Sequence, residues 1–242
     1  MEKIKQKIKF TSGFTVECEG EGRRRRWGLA LLWKNELTVA VKSFSLNHID
    51  VGVGSQGNDE WRFTSVYGHP EDENKYKTGV LLESLKGSDD KPWLFGGDFN
   101  LMLHSGEKIG GRSFCVEEAE ILRNAMSYYH FEDLGFIGHS YMWTNNRGGE
   151  ENIQERLDRF FANQLWRERC SWARFLLISL REGRIIYLSY CVLKKLCQSK
   201  RKKSCIVLEK CGSVMKTVLR LFRRLGNEEG TYVRKLHLLL LV

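Results

Sequence analysis

The sequence has few of the residues that break or cross-link a protein chain. Only two prolines, Pro70 and Pro92, occur among the 242 residues, which excludes a Pro-rich disordered chain. The seven cysteines are odd in number and contain no Cys-x-x-Cys pair. We therefore expect neither a disulfide framework nor a structural zinc site, and the chain fits a reducing compartment.

Long apolar runs are also missing. No run approaches the ~18 residues of a membrane-spanning helix. The first ten residues, MEKIKQKIKF, are charged throughout, unlike a secretory signal peptide. These two absences predict a nuclear or cytoplasmic protein that is not secreted and has no membrane partner. They make no prediction about oligomeric state.

Positive charge is concentrated in one part of the chain. The formal net charge is +9, but residues 184–242 hold 14 Lys and Arg against 3 Asp and Glu. The other 183 residues keep 25 of the 39 basic and 27 of the 30 acidic side chains, so they are close to neutral. A basic segment of this kind is typical of binding to nucleic acid or a membrane surface, or of a solvated basic helix. A frameshifted segment is the third interpretation.

Hydrophobic periodicity predicts an α+β protein. Alternating or continuous apolar runs predict strands over 28–33, 37–45, 48–54, 60–68 and 92–100, and helical spacing predicts helices over 1–10, 80–85 and 113–130. Successive strands joined by short turns favour sheets packed together with helices outside. This pattern defines a domain over 1–175. Residues 176–242 lack clean alternation, and they are predicted to form a basic tail that is irregular or helical.

A carboxylate follows an apolar run in KPWLFGGDFNLML, residues 91–103. Residues two apart on a strand point to the same side, so Asp98 and Asn100 are predicted to project together while Phe99 faces the opposite layer. Gly96 and Gly97 would let a ligand or a backbone approach closely. The pair suits phosphate chemistry, since Asp can accept a proton from water or help to hold Mg²⁺. The alternative is an Asp that only forms a turn.

Two further residues have a functional and a structural interpretation. Tyr67 ends the run WRFTSVY and could donate a hydrogen bond to a phosphate or cover an edge of the core. Asp158 lies in ERLDRFF and could belong to the same site or be a surface carboxylate paired with Arg156 and Arg159. The sequence pattern by itself leaves both alternatives open.

Other polar residues give weaker signals. The histidines at 69, 104, 130 and 139 show no metal-ligand spacing and are predicted to lie in loops or at the surface. Glu107 and Lys108 belong to a Gly-rich loop without the G-x-x-x-x-G-K-[ST] pattern of a phosphate-binding P-loop. Trp143 is predicted to be a core aromatic.

Taken together and in order, these segments identify a protein family more specifically than any single segment does. WRFTSVYGHP, PWLFGGDFN, EKIGGR, FEDLGFIGHSYMWTNNR and IQERLDRFFAN, with GLALLWK and HID upstream, resemble the endonuclease/exonuclease/phosphatase superfamily, which is related to DNase I and the abasic-site endonucleases. The chain is most similar to the endonuclease domain of plant non-LTR (LINE-type) retrotransposons, encoded upstream of a reverse transcriptase. The resemblance covers about residues 1–175.

The resemblance implies a DNase I-like four-layer α/β sandwich and Mg²⁺-dependent hydrolysis of a phosphodiester in DNA. Asp98 matches the family's water-orienting Asp, and Asn100 its phosphate- and metal-proximal Asn. Tyr67 matches the phosphate-contacting Tyr, and Asp158 the Asp that orients the catalytic His. DNA is the implied partner, with a reverse transcriptase encoded downstream as a further one. Mg²⁺ would be held by Asp98 and Asn100 in an incomplete site.

Two motifs of the family are not found in the sequence. One is an ET-type motif, whose Glu is the main metal ligand and which would precede MEKIKQKIKF. The other is a Ser-Asp-His triplet after Asp158, where His237 is the only histidine. We therefore expect a domain truncated at both ends with weak or no nuclease activity. A non-catalytic nucleic-acid-binding module that uses the basic tail and a non-functional retrotransposon remnant are the alternatives.

Overall fold

Two large mixed sheets, one small three-stranded sheet and three α-helices make up the part of the chain that the computed structural model describes. That part comprises residues 10–16, 29–33, 35, 37–54, 60–85, 91–135, 137–138, 140–141 and 143–170, with the backbone of strands at 174–179, 187–192, 205–209 and 238–241. None of the helices in this part has the length and apolar character that crossing a membrane would need.

The strands follow one another along the chain as β1 (Ser12–Val16), β2 (Leu29–Trp33), β3 (Val39–Ser45), β4 (His48–Val53), β5 (Trp61–Tyr67), β6 (Trp93–Asp98), β7 (Lys108–Ile109), β8 (Glu132–Asp133), β9 (Ile137–Gly138), β10 (Trp143–Thr144), β11 (Gln154–Glu155), β12 (Asp158–Ala162), β13 (Arg174–Ser179), β14 (Tyr187–Val192), β15 (Cys205–Glu209) and β16 (Leu238–Leu241). The helices are α1 (Tyr76–Ser84), α2 (Val116–Tyr128) and α3 (Gln164–Arg169).

A six-stranded sheet lies at the centre of the fold, with strand order β3-β4-β5-β6-β12-β8. Its middle pair, β5 and β6, is parallel, and β12 runs antiparallel to β6. The second sheet has the order β1-β2-β16-β15-β14-β13-β9, and a small sheet has the order β10-β11-β7. The five strands predicted from periodicity all form, although the structure shortens each by one to three residues.

Strands β4, β5, β6 and β12 of the six-stranded sheet bury both of their faces, whereas the edge strand β3 is largely exposed. One face packs on the second sheet, where Leu29 and Leu31 of β2 share a core with Val51 and Phe63. The other face packs under α1 and α2 through Phe95, Leu82 and Leu122, among others. Strands buried on both sides are expected to be continuously apolar, which explains the run in β6. This arrangement confirms the expected α+β sandwich with helices outside a sheet.

The two predicted helices outside the N-terminus are confirmed. α1 begins four residues earlier than the predicted 80–85, and α2 lies inside the predicted 113–130. Ala119, Leu122, Ala125 and Met126 are the buried residues of α2, which is the apolar stripe that helical spacing predicts. The helix predicted over 1–10 lies outside the described residues except for Phe10, which is buried.

Within the predicted tail, the structure describes only strand segments. Their backbones join the second sheet, with β16 next to β2. The segments YLSYCV and CIVLE contain several residues of high β-propensity, and LLLL is a short apolar run. The helical pattern at 213–225 lies outside the described residues.

Glycine is required at the end of β6. A Cβ on Gly97, which has φ +150°, would lie 2.0 Å from the Val66 carbonyl oxygen of β5, and a Cβ on Gly96 would lie 2.2 Å from the Phe160 ring. The two glycines therefore accommodate a neighbouring backbone and a core ring. The alternative that they make room for a ligand is not what the structure shows at these two positions.

Substitution Gly97→Ala is expected to lower the free energy of unfolding by about 1–3 kcal/mol, the usual cost of overpacking a buried site. The clash is with backbone, which cannot rotate away as a side chain could. Urea unfolding followed by circular dichroism measures the change. Gly148→Ala is the matched control because a Cβ there meets nothing within 4 Å, and an equal loss in both variants would contradict the prediction.

Candidate active site

Three predicted site residues come together at one end of the six-stranded sheet. Tyr67 is the last residue of β5 and lies beside Asp98, the last residue of β6, in the parallel register. Asp158, the first residue of β12, is directly opposite Asp98 in the antiparallel register. All three are buried, with Asp98 and Asp158 each 4% exposed. Their side chains share the face that packs toward the second sheet, since Phe160, two residues after Asp158, belongs to that core.

Asn100 reaches this site in a different way from the prediction. β6 ends at Asp98, and Asn100 has φ +52°, so strand alternation does not place the two side chains together. Instead, the Asn100 backbone N–H donates to Asp98 Oδ1 at 3.0 Å, and Asn100 Nδ2 donates to the Gly68 carbonyl at 2.8 Å. Asp98 therefore forms a turn as well, the alternative that its position at a strand end left open. Phe99 faces the opposite layer as predicted, packed edge-on against Phe161.

A glycine makes this turn fit. Gly68 N–H donates to the Asp98 carbonyl at 2.7 Å, and a Cβ on Gly68 would lie 2.0 Å from the Phe99 carbonyl oxygen. The chain leaving β5 and the chain leaving β6 thus pass each other in direct backbone contact. This contact holds Asn100 beside Tyr67.

The Tyr67 hydroxyl is held in its protonated form. Burial raises the pKa of Tyr67 well above its usual value, and the carboxylates of Asp98, Glu71 and Asp158 raise it further. A hydrogen bond with the Asn100 side chain opposes this shift only in part. A phenol that stays protonated can donate a hydrogen bond to an anionic oxygen at any pH at which the protein works.

Tyr67 is expected to reduce stability in alkali. Its pKa is higher in the folded protein than the ordinary value of 10.0, so the unfolded chain loses this proton first. The free energy of unfolding that protonated Tyr67 contributes is constant below pH ~10 and is lost as the pH rises above that value. Unfolding free energies measured by urea between pH 8 and 11 should therefore fall less steeply for Tyr67→Phe than for the unmodified chain. Tyr76→Phe is the control because Tyr76 is 57% exposed.

Asp158 is not the surface carboxylate of the structural alternative. The side chains of Arg156 and Arg159 pair with Glu107 and Asp133. On β12, Asp158 faces the second sheet, whereas Arg159 points to the opposite face. The surface interpretation is wrong because Asp158 is buried.

The four-residue ion cluster of Glu107, Asp133, Arg156 and Arg159 was missed by sequence reasoning. Arg159 has no exposed side-chain surface, and it donates to Asp133 Oδ2 at 2.9 Å and to Glu107 Oε2. Arg156 donates to both Asp133 oxygens at 3.0 and 3.1 Å. The carboxylates come from segments 26 and 52 residues away from Arg159, so no local pattern could reveal the cluster. The one indication of this cluster in the sequence was the presence of Arg156 and Arg159 beside Asp158.

The remaining candidates lie apart or are partly described. Trp143 is half-buried and packs on the core shared by the two sheets, as predicted. The His69 backbone N–H donates to Thr78 Oγ1 at 2.9 Å, next to the site. Lys108 pairs with Glu155. His104 is exposed, and His139 lies outside the described residues.

The donor set does not complete a magnesium site. Asp98 and Asp158 supply carboxylates, and the side chain of Asn100 supplies at most one amide oxygen. Within the described ranges, no group of three or more His, Cys, Asp and Glu side chains is placed to hold a metal ion. Mg²⁺ demands near-octahedral oxygen coordination, and one carboxylate pair gives only part of it.

The chain is similar to several proteins of one structural class. It matches the endonuclease domain of TRAS1, a telomere-specific non-LTR retrotransposon, with 18% identity over 69% of this chain and 74% of that one, and a TM-score of 0.50. An AP endonuclease from Leishmania major matches with 14% identity over 69% of this chain and 65% of that one, and a TM-score of 0.46. A beta toxin from Staphylococcus aureus with bound magnesium ions matches with 12% identity over 59% of this chain and 50% of that one, and a TM-score of 0.34. No match was found among curated protein sequences.

The sequence model of one family covers most of the chain. The endonuclease/exonuclease/phosphatase family model matches residues 5–179, a span that contains every strand of the six-stranded sheet and the whole Tyr67–Asp98–Asp158 group. By this match the chain belongs to the endonuclease/exonuclease/phosphatase family.

Proposed function

We propose that this protein is a phosphodiester hydrolase that nicks DNA at the Tyr67–Asp98–Asp158 group, with a low rate. The observation that carries the proposal is the register of β5, β6 and β12, which brings two buried carboxylates and a protonated phenol to one point. The family match and the likeness to a retrotransposon endonuclease support it.

Each residue has a defined task in this proposal. Hydrolysis requires water to attack phosphorus and lose a proton, while the P–O bond to the leaving oxygen breaks and that oxygen takes up a proton from solvent. Asp98 accepts that proton, since a carboxylate next to the attacking water can act as a general base. Tyr67 and the Asn100 amide donate hydrogen bonds to a phosphoryl oxygen and stabilise its developing charge. Asp158 adds a second negative charge opposite Asp98.

The low rate follows from the incomplete donor set. Two carboxylates on directly opposite positions repel each other when both are ionised, and a cation or a proton between them removes that repulsion. Divalent metals of the kind the resemblance implies would supply charge neutralisation there, but the described residues do not form their site. Loss of a single such electrostatic group typically costs about 10²–10³ in rate.

Single-turnover nicking of supercoiled plasmid tests the proposal. The purified chain is incubated with plasmid in Mg²⁺, and in parallel with EDTA, and the open circular product is followed over hours. Slow nicking that needs Mg²⁺ and saturates with protein concentration is the expected result. A rate equal to that of buffer would reject the hydrolase, and a rate typical of efficient nucleases would reject the low activity.

A non-catalytic DNA-binding role is the second candidate. The observation that favours it is the balance of 14 basic against 3 acidic residues over 184–242. Neutralised phosphates release counterions, so binding would weaken steeply with salt. A triple substitution of Arg201, Lys202 and Lys203 to Gln should then lower DNA affinity and flatten the salt dependence. Unchanged affinity would remove this candidate.

A further inference from the structure

The ion cluster lies directly behind the proposed site. Asp158 and Arg159 are consecutive on β12, so one faces the second sheet with Asp98 and the other faces the cluster. Any displacement of Arg159 along or across the sheet moves Asp158 with it, because one strand backbone carries both. The cluster is thus in a position to set the location of a site carboxylate on the opposite face of the strand.

Glu107 connects β12 to the loop that follows Asp98. Its Oε2 accepts the backbone N–H groups of Leu103 at 2.7 Å and His104 at 3.2 Å, and also the Arg159 guanidinium. Its backbone carbonyl accepts the Arg156 N–H at 2.9 Å. Arg156 Nη1 also donates to Glu107 Oε1 at 3.3 Å. Three hydrogen bonds from Arg156 and Arg159 therefore join Glu107 to the start of β12, and two backbone N–H groups hold it to the loop after β6.

The charges in the cluster are matched. Although burial by itself would raise the pKa of Glu107, the hydrogen bond from Arg159, its positive charge and the two backbone N–H groups hold that pKa below its ordinary value. Glu107 is consequently ionised near neutral pH. Two carboxylates, Glu107 and Asp133, face two guanidinium groups, Arg156 and Arg159, with Arg159 fully buried.

A backbone bond on the site side completes the connection. Phe99 N–H donates to the Leu157 carbonyl at 3.0 Å, so the residues next to Asp98 and Asp158 are bonded to each other. The turn after Asp98 and the strand carrying Asp158 are fixed at this point and again at Glu107. Two connections, one on each side of Asp98 and Asp158, restrict the distance between these carboxylates more than one connection would.

We propose that Glu107 and Arg159 are positioning residues that hold Asp158 opposite Asp98 and so set the rate of the site. The effect on the rate rests on the proposed function, whereas the positioning of Asp158 by these two residues does not. Without the Glu107–Arg159 contact, fewer bonds hold the start of β12 against the loop after β6, so Asp158 can shift relative to Asp98. The misplaced carboxylate then slows the chemical step without weakening DNA binding, since neither residue touches the proposed DNA site.

Glu107→Gln tests this inference in the full chain. The expected result is a single-turnover nicking rate at least about tenfold lower, with the protein concentration for half-saturation unchanged within twofold. Glu118→Gln is the matched control, because Glu118 also pairs with two basic side chains, Lys75 at 2.6 Å and Arg112 at 2.7 Å, on the helix layer away from the site. Glu107→Asp, which keeps the charge, should recover part of the rate.

Amide hydrogen exchange gives a readout that does not need activity. In Glu107→Gln, the N–H groups of Phe99 and Arg156 should exchange at least about tenfold faster, while those of β4 and β5 keep their protection and Glu118→Gln changes none of them. If Glu107→Gln does not fold, Arg159→Lys carries the same measurements. An inactive unmodified chain would reject the proposed function, whereas unchanged exchange at Phe99 and Arg156, or a full nicking rate in a folded variant, would overturn the positioning role.

Discussion

Asp98→Asn is expected to lower the nicking rate by about 10²–10⁴, the usual cost of removing a general base. Asn keeps the size of the side chain and an oxygen that can accept the Asn100 N–H, the contact that Asp98 Oδ1 makes at 3.0 Å. It removes only the negative charge and the ability to take a proton. The measurement is the single-turnover rate of plasmid nicking in Mg²⁺ at neutral pH.

The same substitution should not weaken the fold. Asn opposite Asp158 relieves the repulsion between two adjacent carboxylates, so the free energy of unfolding is expected to stay the same or rise. A slower rate together with lower stability would point to a structural effect instead. Residual nicking at the unmodified rate would identify a contaminating nuclease and leave Asp98 with no catalytic role.

Arg159→Leu is expected to destabilise the protein by about 3–5 kcal/mol, the cost of removing one partner from a buried ion pair. Arg159 has no exposed side-chain surface and bonds both Glu107 and Asp133. Leucine would leave these two carboxylates facing Arg156 alone. The loss is a large fraction of the 5–15 kcal/mol that typically stabilises a domain. Urea unfolding at pH 7 measures it.

The pH dependence of this loss has a defined sign. The folded-state pKa of Glu107 is depressed, so the stability that it contributes is present above its ordinary value of 4.5 and disappears as the pH falls through the folded value. The difference between the unmodified chain and Arg159→Leu should therefore be largest near pH 7 and shrink in acid. The exposed pair of Arg147 and Glu151 supplies the control, and Arg147→Leu should cost less than about 1 kcal/mol. Equal losses in both variants would contradict the role of burial.

Asp98 and Asn100 illustrate how a sequence pattern can be right about proximity and wrong about its cause. Alternation along a strand predicted that the two side chains share one face. They do lie together, but because β6 ends at Asp98 and Asn100 turns back with φ +52° to bond Gly68. The period of two could not reveal the end of the strand, because that end depends on the contact between Gly68 and Phe99, residues of two different segments.

For Asp158 and for the tail, the sequence pattern did not decide between alternatives. The sequence by itself did not separate a site carboxylate from a surface one, because Asp158 lies between two arginines that looked like its partners. Their actual partners, Glu107 and Asp133, come from distant segments. In the tail, short apolar segments that lack clean alternation form strands, whose backbones pair with one another and, through β16, with β2.

Local order was determined by the sequence alone. The apolar runs that become β2, β4, β5 and β6, the stripe of α2, and the ordered segments that carry the family resemblance are all properties of neighbouring residues, so they are readable without coordinates. The tertiary structure decided which of those residues meet. Tyr67, Asp98 and Asp158 are far apart in the chain and come together only through the registers of β5, β6 and β12. Register and long-range charge pairing depend on packing between segments, which no single stretch of sequence contains.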